Sequence, residues 1–256
     1  MLVEVNKVTY GYGKTPVLKD VTMRANQGEL VSIIGPNGSG KSTLLKCIAG
    51  ICKPWRGVVK IAGKEVSKIS RKELNKIVSY LPQDTVPPPS LLTVYEYVLL
   101  GRVQSLSGRL TVPEEDHNAV IETLQMLDLE KYASRHMNEL SGGEKQLVYI
   151  AQALARKPKV LLLDEPLNHL DVKNQFKVIK LLKELAKKLN ICVIIVMHDI
   201  NQAARYSDRM YLMKDGEIIA EGPPDEVVIP ELLEKVYGIR FKVVYDGNIP
   251  QAIPAE

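Results

Sequence analysis

The sequence predicts an α/β fold: a mixed, largely parallel sheet with an antiparallel β edge on its N-terminal side and an inserted all-helical segment. Three observations predict it. In the second half of the chain, short apolar runs alternate with amphipathic stretches of helical spacing, as in a parallel sheet covered on both faces. From Leu2 to about Ala25 apolar and polar residues instead alternate singly. Between Thr93 and about Leu140 strand-like runs are missing and helical spacing takes over.

Each element follows from its own residues. Val17-Leu18-Lys19-Asp20-Val21-Thr22-Met23 has the alternation of exposed antiparallel strands, whereas Val31-Ser32-Ile33-Ile34 is a buried strand. Thr43 to Ala49 is helical and stops at Gly50. Val58 to Ile61 is a strand turning at Gly63-Lys64, and Val78 to Leu81 is a short buried strand ending at Pro82-Gln83. Pro87, Pro88 and Pro89 then break regular structure. In the helical segment Val94, Val98, Leu99, Val120, Leu124, Leu127 and Leu129 form the apolar stripe, with Pro113-Glu114 opening the second helix. Val160 to Leu163 is a strand running into Asp164-Glu165, followed by a helix with apolar positions Val172, Phe176, Ile179, Leu182, Leu185 and Leu189. A strand from Ile191 to Met197 comes next, then a hairpin of Met210 to Met213 and Ile218 to Ala220 around Asp215-Gly216. After Pro223-Pro224 a tail carries a helical piece near Glu231 to Tyr237 and a strand at Phe241 to Tyr245. The expected division is a single domain over 1–245, with residues 1–83 and 155–222 as α/β core, 84–154 as helical subdomain and 223–256 as tail.

Composition narrows the function classes. The 256 residues are 45% hydrophobic and 25% charged, enough for a large core and unlike a disordered chain. A net charge of +4 with both signs interspersed leaves no footprint for a nucleic-acid partner, and none is expected. No apolar run reaches the roughly 18 residues of a membrane span, and Met1-Leu2-Val3-Glu4 is unlike a signal peptide. Cys47, Cys52 and Cys192 follow no disulfide or metal spacing. A cytoplasmic chain with reduced thiols is expected.

Gly35-Pro36-Asn37-Gly38-Ser39-Gly40-Lys41-Ser42-Thr43 stands between a strand and a helix, the context that makes G-x-x-x-x-G-K-[ST] a phosphate-binding P-loop. Its glycines let successive backbone N–H groups turn inward, and the helix N-terminus adds positive potential. Lys41 is expected to reach the β- and γ-phosphates of a nucleotide and Ser42 to ligate Mg²⁺. Kinases, GTPases, motor ATPases and transporter ATPases all share this loop.

Asp164-Glu165 end a buried strand, where nucleotide sites of α/β sheets lie. Asp164 is read as the Mg²⁺ carboxylate and Glu165 as the group facing the attacking water. His198 ends the next apolar strand and is placed to bond the γ-phosphate and hold that water. Leu140-Ser141-Gly142-Gly143-Glu144 is a helix N-cap, and also a second phosphate-ready cradle far from the first in sequence.

Taken in order, the P-loop, Gln83 after a strand, Leu-Ser-Gly-Gly-Glu, Asp164-Glu165, Asn168-His169-Leu170-Asp171 and His198 resemble the nucleotide-binding subunit of an ATP-binding cassette transporter, over Leu2 to about Tyr245. The resemblance implies an ATPase with a P-loop NTPase core, using ATP and Mg²⁺. It implies that Tyr12 stacks on adenine and that Gln83 approaches Mg²⁺ and the attacking water while linking core to helical subdomain. It further implies that Ser141, Gly142, Gly143 and Glu144 meet the nucleotide of a second copy, that Asp171 crosses the interface, and that two ATP molecules are sandwiched in a head-to-tail dimer. Integral membrane permease subunits on the inner face of the membrane, and indirectly an extracytoplasmic binding protein, are the implied partners.

Thr93-Val94-Tyr95-Glu96-Tyr97-Val98-Leu99-Leu100-Gly101-Arg102 is similar to a stretch of importers for iron-siderophore complexes, haem and cobalamin. Asn168 to Asp171, His198 to Tyr206 and Leu233 to Ile239 are similar to the same group, which points to metal-chelate uptake. His169 is then an interface-loop residue and not a metal ligand. Leu167 and Met197 depart from the threonines usual in the family, without removing a group that touches phosphate. The alternative is a soluble cassette ATPase of assembly or nucleic-acid metabolism, although the paired cassettes or coiled-coil insertion of such proteins are missing. A P-loop kinase would leave Leu-Ser-Gly-Gly-Glu and His198 without a task.

Overall fold

The computed structural model describes residues 1–83, 91–102, 111–168 and 170–255; Pro87 to Pro89 and His169 lie outside the described residues. Strands β1 (Val3–Tyr12) and β2 (Thr15–Ala25) pair antiparallel, and β1 also pairs with β4 (Arg56–Ile61), which is edged by the short β5 (Lys64–Glu65). The order is β2-β1-β4-β5. Single alternation has the meaning expected of it: Val3, Val5, Leu18, Val21 and Met23 are buried on one face.

The main sheet is built from β3 (Leu30–Ile34), β6 (Val78–Leu81), β7 (Val160–Asp164), β8 (Cys192–Val196), β9 (Arg209–Lys214) and β10 (Glu217–Gly222). Its order is β10-β9-β3-β8-β7-β6, parallel throughout except for the β9–β10 hairpin. Every residue of β3, β7 and β8 is buried, and successive residues go to opposite faces. Val31, Ile33, Leu162 and Ile194 pack with α1 (Lys41–Ile48) and the antiparallel sheet, whereas Leu30, Ile34, Leu161, Leu163, Val193 and Ile195 join the helices of the other layer. Each fully buried Leu, Ile or Val contributes about 1.5–3 kcal/mol, so this two-sided burial holds the strand ends in fixed register.

The helical layer includes α3 (Val94–Leu99), α4 (Glu114–Met126) and α5 (Gly142–Leu154). Thr93 and Glu96 form a capping box on α3, and Glu114, Glu115 and Asp116 place carboxylates in the first turn of α4. Val94, Val98, Val120, Leu124, Leu127 and Leu129 are all buried in one cluster, with Leu99 partly buried beside it. Arg102 binds the buried carboxylate of Asp116 at 2.5 Å and donates to the Ala155 carbonyl at 3.2 Å, tying all three helices.

Helix α6 (Val172–Lys188) corrects part of the expected stripe. Ile179, Leu182 and Leu185 are buried, but Val172, Phe176 and Leu189 are 67%, 39% and 37% exposed, because burial begins only at Val178 and Leu189 is the residue that caps the end of the helix. Helices α2 (Arg71–Ile77), α7 (Ile200–Tyr206) and α8 (Pro224–Val227) are short elements beyond those expected. After α9 (Pro230–Tyr237), β11 (Phe241–Asp246) pairs with an unexpected β12 (Ile249–Pro254). This hairpin rests on α7: Asn201 donates to and accepts from the Ala252 backbone at 3.1 and 2.7 Å, and Arg205 pairs with Asp246. No helix among the described residues is long and apolar enough to cross a membrane.

Candidate active site

The sheet order explains why residues distant in sequence meet. Strands β3, β8, β7 and β6 are parallel neighbours, so the segments leaving their carboxyl ends emerge side by side, where α/β sheets bind ligands. The P-loop follows β3, His198 follows β8, Glu165 follows β7 and Gln83 follows β6. They line one cleft of about 470 Å³, together with Asn37, Gly38, Gly40, Ser42 and Thr43.

The P-loop needs glycine for local reasons. At Gly35 φ is +147° and a Cβ would sit 2.1 Å from the Met213 carbonyl oxygen, so no side chain fits. Lys41 opens α1 almost fully buried, its Nζ donating to the Gly35 and Pro36 carbonyls at 2.9 Å each. Burial lowers the pKa of its ammonium, against the opposing pull of Glu165 and Asp164. Ser39 Oγ is buried with no hydrogen-bond partner among the described residues, and around Gly38 the space is open. An open glycine turn, an orphaned hydroxyl, a lysine and a helix N-terminus fit a phosphate chain.

Beside the loop, Ser42 Oγ donates to Asp164 Oδ1 at 2.8 Å and the Tyr80 hydroxyl donates to Asp164 Oδ2 at 3.1 Å. Burial raises the pKa of the Asp164 carboxyl, while these two donors and Lys46 counteract it. A hydroxyl and a carboxylate in contact are hard oxygen donors of the kind Mg²⁺ takes when phosphates complete its shell. Glu165, the next residue, has a left-handed backbone at φ +51°. Its Oε2 accepts from Gln83 Nε2 at 2.9 Å and Asn168 Nδ2 at 2.6 Å, and its Oε1 lies 2.8 Å from His198 Nε2. One carboxylate is thus aimed into the cleft by three side chains from three segments. A carboxylate so placed can accept a proton from a water in the cleft.

The remaining candidates stand elsewhere. Tyr12 is exposed, edge-on to Tyr10 with ring centroids 5.4 Å apart, and does not line this cleft. Ser141 caps α5, accepting from the Glu144 N–H while Glu144 Oε2 accepts from both the backbone N–H and the hydroxyl of Ser141. Hydrogen bonds from Tyr132 and Ser141 hold the Glu144 carboxyl at about 2. Asp171 caps α6, accepting from Asn174 N and Nδ2 at 2.8 and 3.0 Å. A Cβ on Gly143 would lie 3.1 Å from that Asn174 Nδ2, so Ser141 to Glu144 and Asp171 occupy one neighbourhood, apart from the cleft. Tyr80 and Asn168 were not among the expected site residues. Tyr80 reveals itself through register, lying opposite Leu162 on β7, and Asn168 through its three-residue spacing from Glu165.

Residues 18–168 match the family model described as ABC transporter. The iron(3+)-hydroxamate import ATP-binding protein of Bacillus subtilis is 39% identical over 236 residues, covering 92% of this chain and 87% of that protein. Among solved structures, one described as an inward-facing conformation of a transporter assigned to the metal-chelate ABC type superposes with a TM-score of 0.86 at 26% identity, covering 100% of this chain and 98% of that one. A dimeric ATP-binding cassette in a post-hydrolysis state bound to ADP and Pi gives a TM-score of 0.73 at 36% identity, covering 87% and 99%.

Proposed function

The chain belongs to the ABC transporter family, and from that membership we propose that it is the ATP-hydrolysing subunit of an importer for an iron-siderophore complex or a related metal chelate such as haem or cobalamin. The observation that carries the catalytic reading is the convergence of Gln83, Asn168 and His198 on the Glu165 carboxylate at the edge of the P-loop cleft. The substrate class is supported by the iron-hydroxamate importer relative and by the metal-chelate type structure.

In this reading the P-loop amides and Lys41 bind the β- and γ-phosphates, Lys41 exchanging the Gly35 and Pro36 carbonyls for phosphate oxygens. Ser42 and Asp164, with Gln83, would hold Mg²⁺, which would neutralise charge on the phosphate oxygens. Glu165 takes a proton from the attacking water, whose oxygen bonds to the γ-phosphorus as the bond to the ADP oxygen breaks. His198 and Gln83 orient that water and hold the carboxylate. Tyr12 stacks on adenine from outside the cleft.

Ser141 to Glu144 and Asp171 have no place in the chain's own cleft, which supports a head-to-tail dimer in which they close the site of the second copy. The cytoplasmic pair docks on permease subunits at the inner face of the membrane, fed by an extracytoplasmic binding protein. The experiment is uptake: cells lacking the chain should lose import of a labelled ferric siderophore, and the tagged chain should co-purify with a polytopic membrane protein. Normal uptake of all three chelate classes without the chain contradicts the assignment.

A further inference from the structure

We propose that Gln175 is a positioning residue for hydrolysis, fastening the loop that carries Glu165 to the helix that follows His198. The proposal rests on the reading of Glu165 as the proton acceptor. Glu165 sits in the left-handed region at φ +51°, a conformation that a non-glycine residue keeps only when its surroundings over-determine it. Two restraints are local: Asn168 N–H donates to the Glu165 carbonyl at 3.2 Å, and Asn168 Nδ2 donates to the carboxylate.

The third comes from α6. Gln175 Nε2 donates to the carbonyls of both Leu167 and Leu170 at 3.2 Å, gripping the loop on either side of the position that follows Asn168. Leu167 and Leu170 are themselves buried. The same amide accepts through Oε1 from Gln202 Nε2 at 2.9 Å. Gln202 is buried in the first turn of α7, where its backbone N–H donates to Asp199 at 2.9 Å, four residues after His198.

The contacts close a ring. Glu165 and His198 touch at 2.8 Å, and the segments that follow them are joined again through Gln175 and Gln202. A shift of either segment therefore moves the carboxylate relative to the imidazole. Only a side chain that donates and accepts at once can make these bonds from 175: methionine fills the same shape and does neither, and glutamate accepts without donating. Gln175 does not line the phosphate cleft, and among the described residues its side chain hydrogen-bonds to Leu167, Leu170 and Gln202, none of which lines it either, so it acts through position and not through contact with nucleotide.

The test measures kcat, KM for ATP and the melting temperature of Gln175→Met and Gln202→Met, with Glu165→Gln alongside. Gln175→Met should lower kcat on the order of tenfold or more, the scale set by small misplacements of reacting groups, with KM for ATP nearly unchanged. Gln202→Met should act in the same direction, and the double variant should cost no more than the worse single one, because both act on one ring. Gln175→Glu should fail to rescue turnover. A wild-type kcat in Gln175→Met, or equal losses of kcat and nucleotide affinity, overturns the proposal; if that variant does not fold, Gln202→Met decides by the same criteria. Normal turnover in Glu165→Gln refutes the proton-acceptor reading and this role together, whereas slow Glu165→Gln beside normal Gln175→Met refutes the positioning role alone.

Discussion

Removing the Asp208 side chain should cost far more than removing its charge. Asp208 Oδ2 accepts from the Leu30 N–H at 2.9 Å, while its own N–H donates to the Leu30 carbonyl at 2.8 Å, clamping the start of the strand that leads to the P-loop. Its Oδ1 pairs with Lys183 at 2.6 Å and Lys187 at 3.2 Å. Leu30 is fully buried, so Asp208→Ala strands an amide away from water, at about 1–3 kcal/mol. The two partly exposed lysine pairs add about 0.5–1 kcal/mol. Together Asp208→Ala should lose roughly 2–4 kcal/mol, a fall in melting temperature of about 5–15 °C for a chain of this size. Asp208→Asn keeps the acceptor and loses only the ion pairs, about 1 kcal/mol or some 2–4 °C. The sign with pH follows from the carboxyl itself. Burial alone would raise its pKa, but the lysines and the Leu30 amide outweigh burial and hold it below the usual range. A depressed folded value means the contribution is complete above the unfolded value near 3.9 and is lost as pH falls through the folded one. The gap between wild type and Asp208→Asn should therefore close in acid. Thermal melts of the three proteins from neutral to acid pH give the measurement, and equal losses in the Ala and Asn variants would refute the reasoning.

Three further outcomes are expected. Around Gly142 nothing lies within 4 Å, so Gly142→Ala should leave the isolated chain's melting temperature unchanged or slightly raised while sharply lowering ATP turnover; unchanged turnover would count against a second copy closing the site. Glu144 is held at about 2 against an ordinary 4.5, so its contribution to α5 should be complete above pH 4.5 and fade toward pH 2. Melts of Glu144→Gln and wild type should accordingly converge over that window, and a constant difference would contradict it. Tyr80→Phe removes one of two hydroxyl donors to Asp164 and should raise the Mg²⁺ concentration for half-maximal ATPase activity by roughly tenfold, as expected for losing a hydrogen bond to a charged group; an unchanged half-saturation would exclude a role for this contact.

Much of this was legible because parallel strands advertise themselves. Val160 to Leu163 and Ile191 to Met197 are apolar on both faces, and the polar residue that follows each run falls at the carboxyl edge of the sheet. Glu165 and His198 could be picked out in this way, but their 2.8 Å contact could not, since it depends on β7 and β8 being neighbours in register. Tyr80 was hidden for the same reason: within Val78 to Leu81 it reads as one more strand residue until β6 is paired with β7. Strand β12 was obscured by Pro250 and Pro254, which argue against a strand except at an unpaired edge such as this two-stranded hairpin provides. Helix α7 spans seven residues, too few for apolar periodicity to show. Val172 and Phe176 fit the stripe of α6 by spacing, yet spacing does not say where a helix outruns the sheet beneath it.

The most direct test of a shared, Glu165-dependent ATP site is Glu165→Gln examined by size-exclusion chromatography with light scattering and by single-turnover hydrolysis, in MgATP. The glutamine keeps the shape of the side chain and removes its capacity to accept a proton. The variant should still bind ATP, turn over at least about a hundredfold more slowly, the scale of a lost general base, and accumulate as a nucleotide-bound dimer while wild type returns to monomer after hydrolysis. Turnover at the wild-type rate, or slow turnover without any nucleotide-dependent dimer, would contradict it.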